Sequence, residues 1–127
     1  MRAALTALIL LVSAPAFADE IQSTFEGTWN LISKRPDCTK ADYPDLVIFT
    51  CDKEMVLWYF TKPNSAAHPG IVKRSIVQEP DGAWAAHEEG RSYGSDAAQS
   101  AFKNWMASIV ALDEKARQEL AREHAPH

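Results

Sequence analysis

A run of six consecutive apolar or aromatic residues, MVLWYF at positions 55–60, constrains the fold of this chain more than any other feature. Polar and turn-forming residues bound the run on both sides, so it is too short for a buried helix and is typical of a β-strand. Alternate side chains of a strand point to opposite faces. The face that carries Trp58 and Phe60 and the opposite face, which carries Leu57 and Tyr59, are therefore both apolar.

A strand with two apolar faces has two explanations in a chain of this size. Either the sheet is curled and closed, so that the whole run is core, or one face is an exposed aromatic patch that binds something. The second explanation makes Trp58 and Phe60 candidate contacts for a partner or a ligand. The sequence alone leaves both explanations open.

Further strands are indicated on either side of this run. The segment FEGTWNLI alternates and predicts a first strand at residues 25–32, and LVIFTC predicts a second at residues 46–51. The apolar run belongs to a third strand at 54–61. Two more follow at 71–78 and 83–88, separated by the turn-forming sequence EPDG. Five strands joined by short loops predict an antiparallel meander.

Beyond Gly94 the apolar period changes from two to about 3.6 residues. This pattern predicts an amphipathic helix over about residues 96–123, with Asp96 or Ser95 as its N-cap. The residues expected to pack on one face of the sheet are Phe102, Trp105, Met106 and Ile109. The predicted fold class is thus α+β, a small antiparallel sheet of about five strands with one C-terminal amphipathic helix packed on it.

The first eighteen residues have the pattern of a cleaved secretory signal peptide. Arg2 precedes an apolar run of about ten residues, and the small residues Ala16 and Ala18 provide a cleavage signal. A membrane span needs roughly 20 apolar residues, and no longer apolar run follows. We therefore expect residues 19–127 to form one small soluble domain in the periplasm or outside the cell, after cleavage near Ala18.

The expected mature chain is acidic. Without Arg2, 12 basic residues face 17 acidic ones, which gives a formal net charge of −5. Lys and Arg occur at most as adjacent pairs, so neither nucleic acid nor an anionic membrane is an expected partner.

Cys38 and Cys51 are the only cysteines in the chain. In an oxidising compartment they predict one disulfide bond, since a redox-active pair is usually spaced as C-x-x-C. A loop of about 15 residues closed in this way contributes roughly 3 kcal/mol in the chain-entropy model.

His68 is the candidate catalytic or binding residue of a polar loop at residues 62–70. Pro69 follows it, and Lys73 and Arg74 further along are expected to disfavour the charged form of the ring. Two interpretations remain open. The neutral imidazole accepts a proton in a site, or His68 is an exposed loop residue without a role.

Arginines supply a second set of candidate contacts. An enzyme with His68 as general base would need an arginine, Arg74 or Arg91, to hold an anionic substrate. Arg91 and Tyr93 also lie in a glycine-containing junction before the helix, where the free N–H groups of the helix N-terminus favour an anion. Glycines there equally serve a tight turn.

The sequence predicts no metal site and no cofactor. His87 and Glu89 can converge on one face of a strand, but two ligands do not complete a zinc site. His124 and His127, in the C-terminal tail, offer no fixed geometry.

The segment FEGTWNL places Gly27 two residues before Trp29, and in this it resembles the G-x-W found at the first strand of lipocalin-like barrels. The resemblance covers three positions. It implies a closed barrel of eight strands that carries an apolar ligand, whereas the patterns above predict about five strands.

These observations predict a small periplasmic or secreted binding protein, of inhibitor or immunity type, that acts through contacts with a protein partner or a small ligand. One alternative is a small enzyme in which His68, a carboxylate such as Glu88 or Asp96, and an arginine converge in one pocket. The other is a carrier of a small apolar ligand in a closed cavity. The walls of that cavity would be Trp29, Trp58 and Phe60.

Overall fold

The computed structural model describes residues 19–123, without the side chains of residues 113, 116, 117 and 119–123. The predicted signal peptide at residues 1–18 and the tail histidines His124 and His127 lie outside the described residues. The elements, in chain order, are α1 (Phe25–Ser33), β1 (Thr39–Asp42), β2 (Leu46–Cys51), β3 (Val56–Thr61), β4 (Gly70–Gln78), β5 (Trp84–Ser92) and α2 (Asp96–Glu123).

The five strands form one antiparallel sheet in the order β1-β2-β3-β4-β5. The register pairs Trp58 of β3 with Phe49 of β2 and with Lys73 of β4. In the predicted EPDG turn between β4 and β5, Gly82 has a φ of 89°, a backbone conformation that favours glycine. The α+β class, the meander and the C-terminal helix are therefore confirmed.

The predicted first strand at residues 25–32 is wrong, because this segment forms helix α1. Thr24 caps the helix, and its Oγ1 accepts a hydrogen bond from the Gly27 N–H at 2.9 Å. Glu26 lies in the first turn, where the helix dipole favours a negative charge. These local interactions stabilise a helix although the apolar residues alternate.

Two adjacent residues show why alternation misled the prediction. Ile32 is fully buried, whereas Leu31 is 38% exposed. A strand with Phe25 and Trp29 facing inward would bury Leu31, but a helix brings Phe25, Trp29 and Ile32 to one side. The resemblance to lipocalin-like barrels therefore does not extend to the fold, because Gly27 and Trp29 are helical.

Strand β1 takes the place of the missing first strand, and its sequence TKAD gave no strand signal. The strand lies at the edge of the sheet, and its side chains are largely exposed. The predicted disulfide bond is confirmed: Cys38, just before β1, and Cys51, at the end of β2, have an S–S distance of 2.08 Å. The bond fastens β1 to β2 next to the pair formed by Thr39 and Thr50.

Each face of the sheet is covered by one helix, and we name the faces after these helices. On the α1 face, the buried cluster comprises Ile32, Val47, Phe49, Cys51, Val56, Trp58, Phe60 and Ile71. On the α2 face, the buried cluster comprises Ala67, Val72, Phe102 and Ile109, with Tyr59, Trp105 and Met106 packed against it. Val56, Trp58 and Phe60 are thus core, whereas Met55 is 42% exposed and lies before β3, which begins at Val56 rather than at residue 54. The second face is covered by α1 in an open sheet rather than by closure of the sheet.

Two glycines bring α2 close to the sheet. A Cβ atom at Gly70 would overlap the ring of Phe102, and a Cβ atom at Gly90 would lie 2.9 Å from the same ring. Ser95 precedes the first residue of α2, and its Oγ accepts from the Ala98 N–H at 3.4 Å. The four residues predicted to dock the helix all lie in or against the α2 face cluster.

Candidate functional site

A cleft of about 560 Å³ opens at one end of the α1 face, between α1 and the loop that follows β3. We call it the His68 cleft and define it by Phe25, Trp29, Val47, Thr61 and His68. The loop histidine singled out in the sequence is therefore part of a concave site. The remaining lining residues are Glu26, Asn30, Lys40, Asp42, Lys62 and Pro63.

His68 is held in the cleft by Thr61. Its Nδ1 lies 2.9 Å from the Thr61 Oγ1 and 3.1 Å from the Thr61 carbonyl oxygen. The Thr61 hydroxyl in turn donates to the Gly70 carbonyl oxygen at 3.2 Å and accepts from the Gly70 N–H at 2.9 Å. The end of β3 and the start of β4 thus fix the position of the imidazole.

This hydrogen-bond network assigns the tautomer of His68. The Thr61 carbonyl oxygen can only accept, and the Thr61 hydroxyl proton is directed to Gly70, so Nδ1 carries a proton. In the neutral ring, Nε2 is then an unprotonated acceptor, and no bond from a described residue occupies it. His68 therefore presents one oriented acceptor, which can take a hydrogen bond or a proton.

Aromatic rings from α1 build the wall beside His68. Phe25 contacts His68 edge to face, with ring centroids 5.1 Å apart, and contacts Phe60 at 5.7 Å. Trp29, one helical turn later, lies 5.1 Å from Phe60. The spacing of Phe25 and Trp29 by four residues places both rings on the side of α1 that faces the cleft.

Charged side chains form the rim of the cleft. The Lys40 Nζ lies over the Trp29 ring at 5.7 Å from its centroid. Lys62 forms an ion pair with Asp42, and the hydrogen bond from Lys62 lowers the pKa of Asp42. The cleft therefore combines apolar walls, one oriented imidazole and a charged, solvent-facing edge, which is the usual composition of a small binding site.

The arginines of the sequence hypotheses do not line this cleft. The Arg74 Nε lies 3.8 Å from the carboxylate of Glu88, its cross-strand partner in the pairing of β4 with β5. The Arg91 Nη1 donates to the Gln22 carbonyl oxygen at 3.1 Å, and the Tyr93 hydroxyl donates to the same oxygen at 2.7 Å. Arg91 and Tyr93 thus hold the N-terminal segment against the sheet.

The two aromatic residues of β3 that were candidate contacts lie in the core. Trp58 is 1% exposed and Phe60 is 0% exposed. Trp29 and Trp58 both contact Phe60, at 5.1 and 6.4 Å between ring centroids, so the three rings fill space that a carrier would need as its cavity. Trp29 alone of the three lines the His68 cleft.

A second pocket, of about 580 Å³, lies at the other end of the α1 face. We call it the Lys73 pocket and define it by Arg35, Glu54, Val56, Trp58, Lys73 and Val77. No pattern in the sequence indicates it. Lys73 sits in a β-strand next to Arg74, and nothing in the local sequence shows which of the two basic side chains points into the α1 face.

Arg35 organises one wall of the Lys73 pocket. Its Nη1 contacts Asp19 at 3.0 Å and Glu54 at 2.6 Å, and its Nη2 contacts Asp37 at 2.6 Å. The hydrogen bonds that Arg35 donates to Asp37 and Glu54 raise the pKa of Arg35, and the bond from Arg35 holds the pKa of Asp37 below its ordinary value. One guanidinium thus joins the segment before α1, the segment after it and the turn between β2 and β3.

Three further observations bear on the function classes considered above. Among the side chains that the structure describes, no group of three or more His, Cys, Asp or Glu is placed to hold a metal ion. The His87 Nε2 instead lies 2.8 Å from the Glu79 carboxylate. Over residues 19–123, no helix combines the length and the apolar character needed to cross a membrane. The disulfide bond between Cys38 and Cys51 suits an extracytoplasmic protein.

Comparison with known proteins gives no relative for this chain: no family model, no curated protein and no solved structure matches it.

Proposed function

We propose that this protein is a small extracytoplasmic binding protein, exported with its first eighteen residues as a cleaved signal peptide, and that it binds its partner or ligand in the His68 cleft. The observation that carries the proposal is the oriented Nε2 acceptor of His68 between aromatic walls. A group that donates to this acceptor, in a cleft whose apolar walls displace water, gains free energy on binding.

The cleft defines the chemistry of the group it takes. An apolar body fits against Phe25 and Trp29, and a hydroxyl, amide or ammonium group donates to the His68 Nε2. A volume of about 560 Å³ accommodates a small molecule or one to two side chains of a protein partner. Lys40 and the pair of Lys62 with Asp42 at the rim supply polar contacts around the apolar group.

The leading experiment compares two histidine variants of the mature chain, residues 19–127, in pull-downs from envelope extract under non-reducing conditions. His68→Ala removes the acceptor in the cleft, and His87→Ala removes an exposed histidine that bonds only Glu79. We expect His68→Ala to lose the captured partner or ligand and His87→Ala to retain it. Equal capture by both variants, with unchanged circular dichroism, would reject the cleft as the site.

A second candidate function is acid–base catalysis with His68 as the base. The observation that favours it is the Nδ1 bond to the Thr61 carbonyl oxygen, which orients the ring as a catalytic base requires. His68→Gln separates the two functions, because an amide oxygen accepts a hydrogen bond but does not take up a proton at neutral pH. Binding that survives in His68→Gln supports the binding protein, whereas turnover of a captured compound that His68→Gln abolishes supports the enzyme.

A further inference from the structure

The Lys73 pocket contains a buried lysine whose charge has no ion-pair partner among the described residues. Lys73 is 7% exposed. Its Nζ donates to the Asp19 carbonyl oxygen at 2.8 Å and lies over the Trp58 ring, 5.5 Å from the centroid. A backbone carbonyl and a ring face compensate a buried ammonium only in part, and two of its three donors have no acceptor in these contacts.

The carboxylates that line the pocket with Lys73 form ion pairs with Arg35 instead. Asp19, Asp37 and Glu54 all contact Arg35. Glu89 is the cross-strand neighbour of Lys73, but its side chain is exposed, and the pair makes no ion pair within 4 Å. The acidic groups that face the pocket therefore leave the Lys73 ammonium available to an anion from outside.

A second donor lies beside Lys73. The Trp58 Nε1 is buried and has no hydrogen-bond acceptor among the described residues. Buried indole N–H groups normally find an acceptor, so an unpaired one in the wall of a pocket is an unusual cost. Lys73 and Trp58 are also direct partners in the register of β4 and β3, which keeps the two donors together.

Besides the charged residues and Ser75, the pocket has an aliphatic wall, and Lys53 is its third basic residue. Val56 is buried, and Ile76 and Val77 line the wall that β4 contributes. A ligand anchored by its charge at Lys73 would therefore meet aliphatic surface with the rest of its body. Phosphate and sulfate carry no such apolar part, whereas a fatty or aromatic monocarboxylate does.

We propose that the Lys73 pocket binds a small monocarboxylate with an apolar tail. The carboxylate contacts the Lys73 ammonium in a charge-assisted hydrogen bond, and the indole N–H of Trp58 is the second donor. The tail lies against Val56 and Val77. This site is separate from the His68 cleft, at the opposite end of the α1 face, and it goes beyond the proposed function.

The test uses the mature wild-type protein with two matched probes, sodium hexanoate and hexanamide. The probes share a tail and differ in charge, so both affinities are measured on the wild-type protein. The readout is the indole N–H resonance of Trp58, identified by its disappearance in Trp58→Phe. We expect a saturable shift with hexanoate and about tenfold weaker binding of hexanamide. Equal affinity for both probes, or no saturable shift with hexanoate, would overturn the proposal.

Two lysine variants then locate the charge that is responsible. Lys73→Met keeps much of the aliphatic stem and removes the ammonium, and we expect it to weaken hexanoate binding about tenfold or more. Lys62→Met removes a lysine at the His68 cleft and should leave hexanoate binding unchanged. Unchanged binding in a folded Lys73→Met, or loss in Lys62→Met, would contradict the assignment. A hexanoate-induced shift at His68 instead of Trp58 would show that hexanoate binds in the His68 cleft, and it would overturn the proposal.

Discussion

The α1 face and the α2 face of the sheet are built differently. The α1 face has the larger cluster of buried aromatic residues, and it also contains the buried polar residues Thr28, Thr61 and Lys73 and both pockets. The α2 face has a smaller cluster, and two glycines bring its helix against the sheet. Polar groups buried next to cavities are costly for stability, and their presence on this face supports the proposal that it serves binding.

The two faces also differ in the helix that covers them. Helix α1 has nine residues and depends on its Thr24 cap and on the aromatic core beneath it. Helix α2 has 28 residues and extends past the contacts it makes with the sheet, so that Val110 and Leu112 are exposed. We infer that the α1 face determines whether the domain folds at all, and that the α2 face adds stability to a sheet already formed.

The largest expected effect tests this difference with a pair of truncations. Phe60→Ala removes a ring that contacts Phe25, Trp29, Phe49 and Trp58, and should lower the free energy of unfolding by about 4 kcal/mol. Amide hydrogen exchange should then lose protection in all central strands.

The matched truncation on the opposite face is Phe102→Ala. It removes the ring that packs on Gly70 and Gly90, and we expect a cost of about 3 kcal/mol. Amide protection should fall in α2 and persist in β2 and β3. Loss of protection throughout the sheet in Phe102→Ala would show that the two faces are not distinct in their contribution to folding.

Removal of the disulfide bond should have the next largest effect. The double variant Cys38→Ala with Cys51→Ala should lower the free energy of unfolding by about 3 kcal/mol in urea denaturation, because the denatured chain gains loop freedom. Since the bond fastens the start of β1, whose Lys40 and Asp42 line the His68 cleft, binding of the captured ligand should weaken as well. Unchanged ligand capture would show that β1 is not needed for the cleft.

Two glycine substitutions probe the α2 face on its own. Gly70→Ala should cost about 2 kcal/mol, because a Cβ atom there meets the rigid ring of Phe102 and the Ala67 carbonyl oxygen at 3.1 Å. Gly90→Ala should cost less, since its nearest neighbour is the flexible side chain of Met106. The free energy of unfolding of both variants is to be measured by thermal or urea denaturation. A larger cost for Gly90→Ala would contradict this account of how α2 docks.

The smallest expected effect concerns Arg35 and its dependence on pH. Arg35→Met should lower the free energy of unfolding by roughly 1 to 2 kcal/mol at neutral pH, because it leaves three carboxylates without their common donor. The bond from Arg35 lowers the pKa of Asp37, so its stabilisation is complete above the unfolded value of about 3.9 and is lost as the pH falls through the lower folded value.

The stability difference between wild type and Arg35→Met should therefore be constant above about pH 5 and shrink below about pH 4. The control is Lys62→Met, which removes the more exposed pair of Lys62 with Asp42 and should lower the free energy of unfolding by less than Arg35→Met does. A stability difference for Arg35→Met that grows as the pH falls below 4 would contradict the proposed role of Asp37.

The sequence predicted α2 well and α1 wrongly, and the reason is length. A 28-residue helix repeats the 3.6-residue period often enough to distinguish it from a strand. Helix α1 has only nine residues, and Phe25 and Trp29, four residues apart, lie on one side in a helix and in a strand alike. Ile32, rather than Leu31, is the residue that faces inward. The apolar second face of residues 55–60 was in fact the sign that another element had to cover it.

The candidate site was predictable only in part. His68 was identified because a titratable residue in a loop is visible in the sequence. Its partner Thr61, its neighbour Phe25 and the buried position of Lys73 depend on how β3, β4 and α1 pack, which no local pattern shows. Arg91 and Tyr93 were candidate contacts at a junction that either binds an anion or only turns the chain, and their bonds to the Gln22 carbonyl oxygen were not predictable from the sequence.

The most direct test of the central claim, that binding belongs to the α1 face, is a map of amide chemical shifts over residues 19–127. The probe is the low-molecular-weight fraction of an envelope extract, added stepwise to labelled protein. We expect shifts concentrated at Phe25, Trp29 and His68, and we expect His68→Ala to abolish them. Shifts concentrated around Val110 and Leu112 on α2, or a map that His68→Ala leaves unchanged, would contradict it.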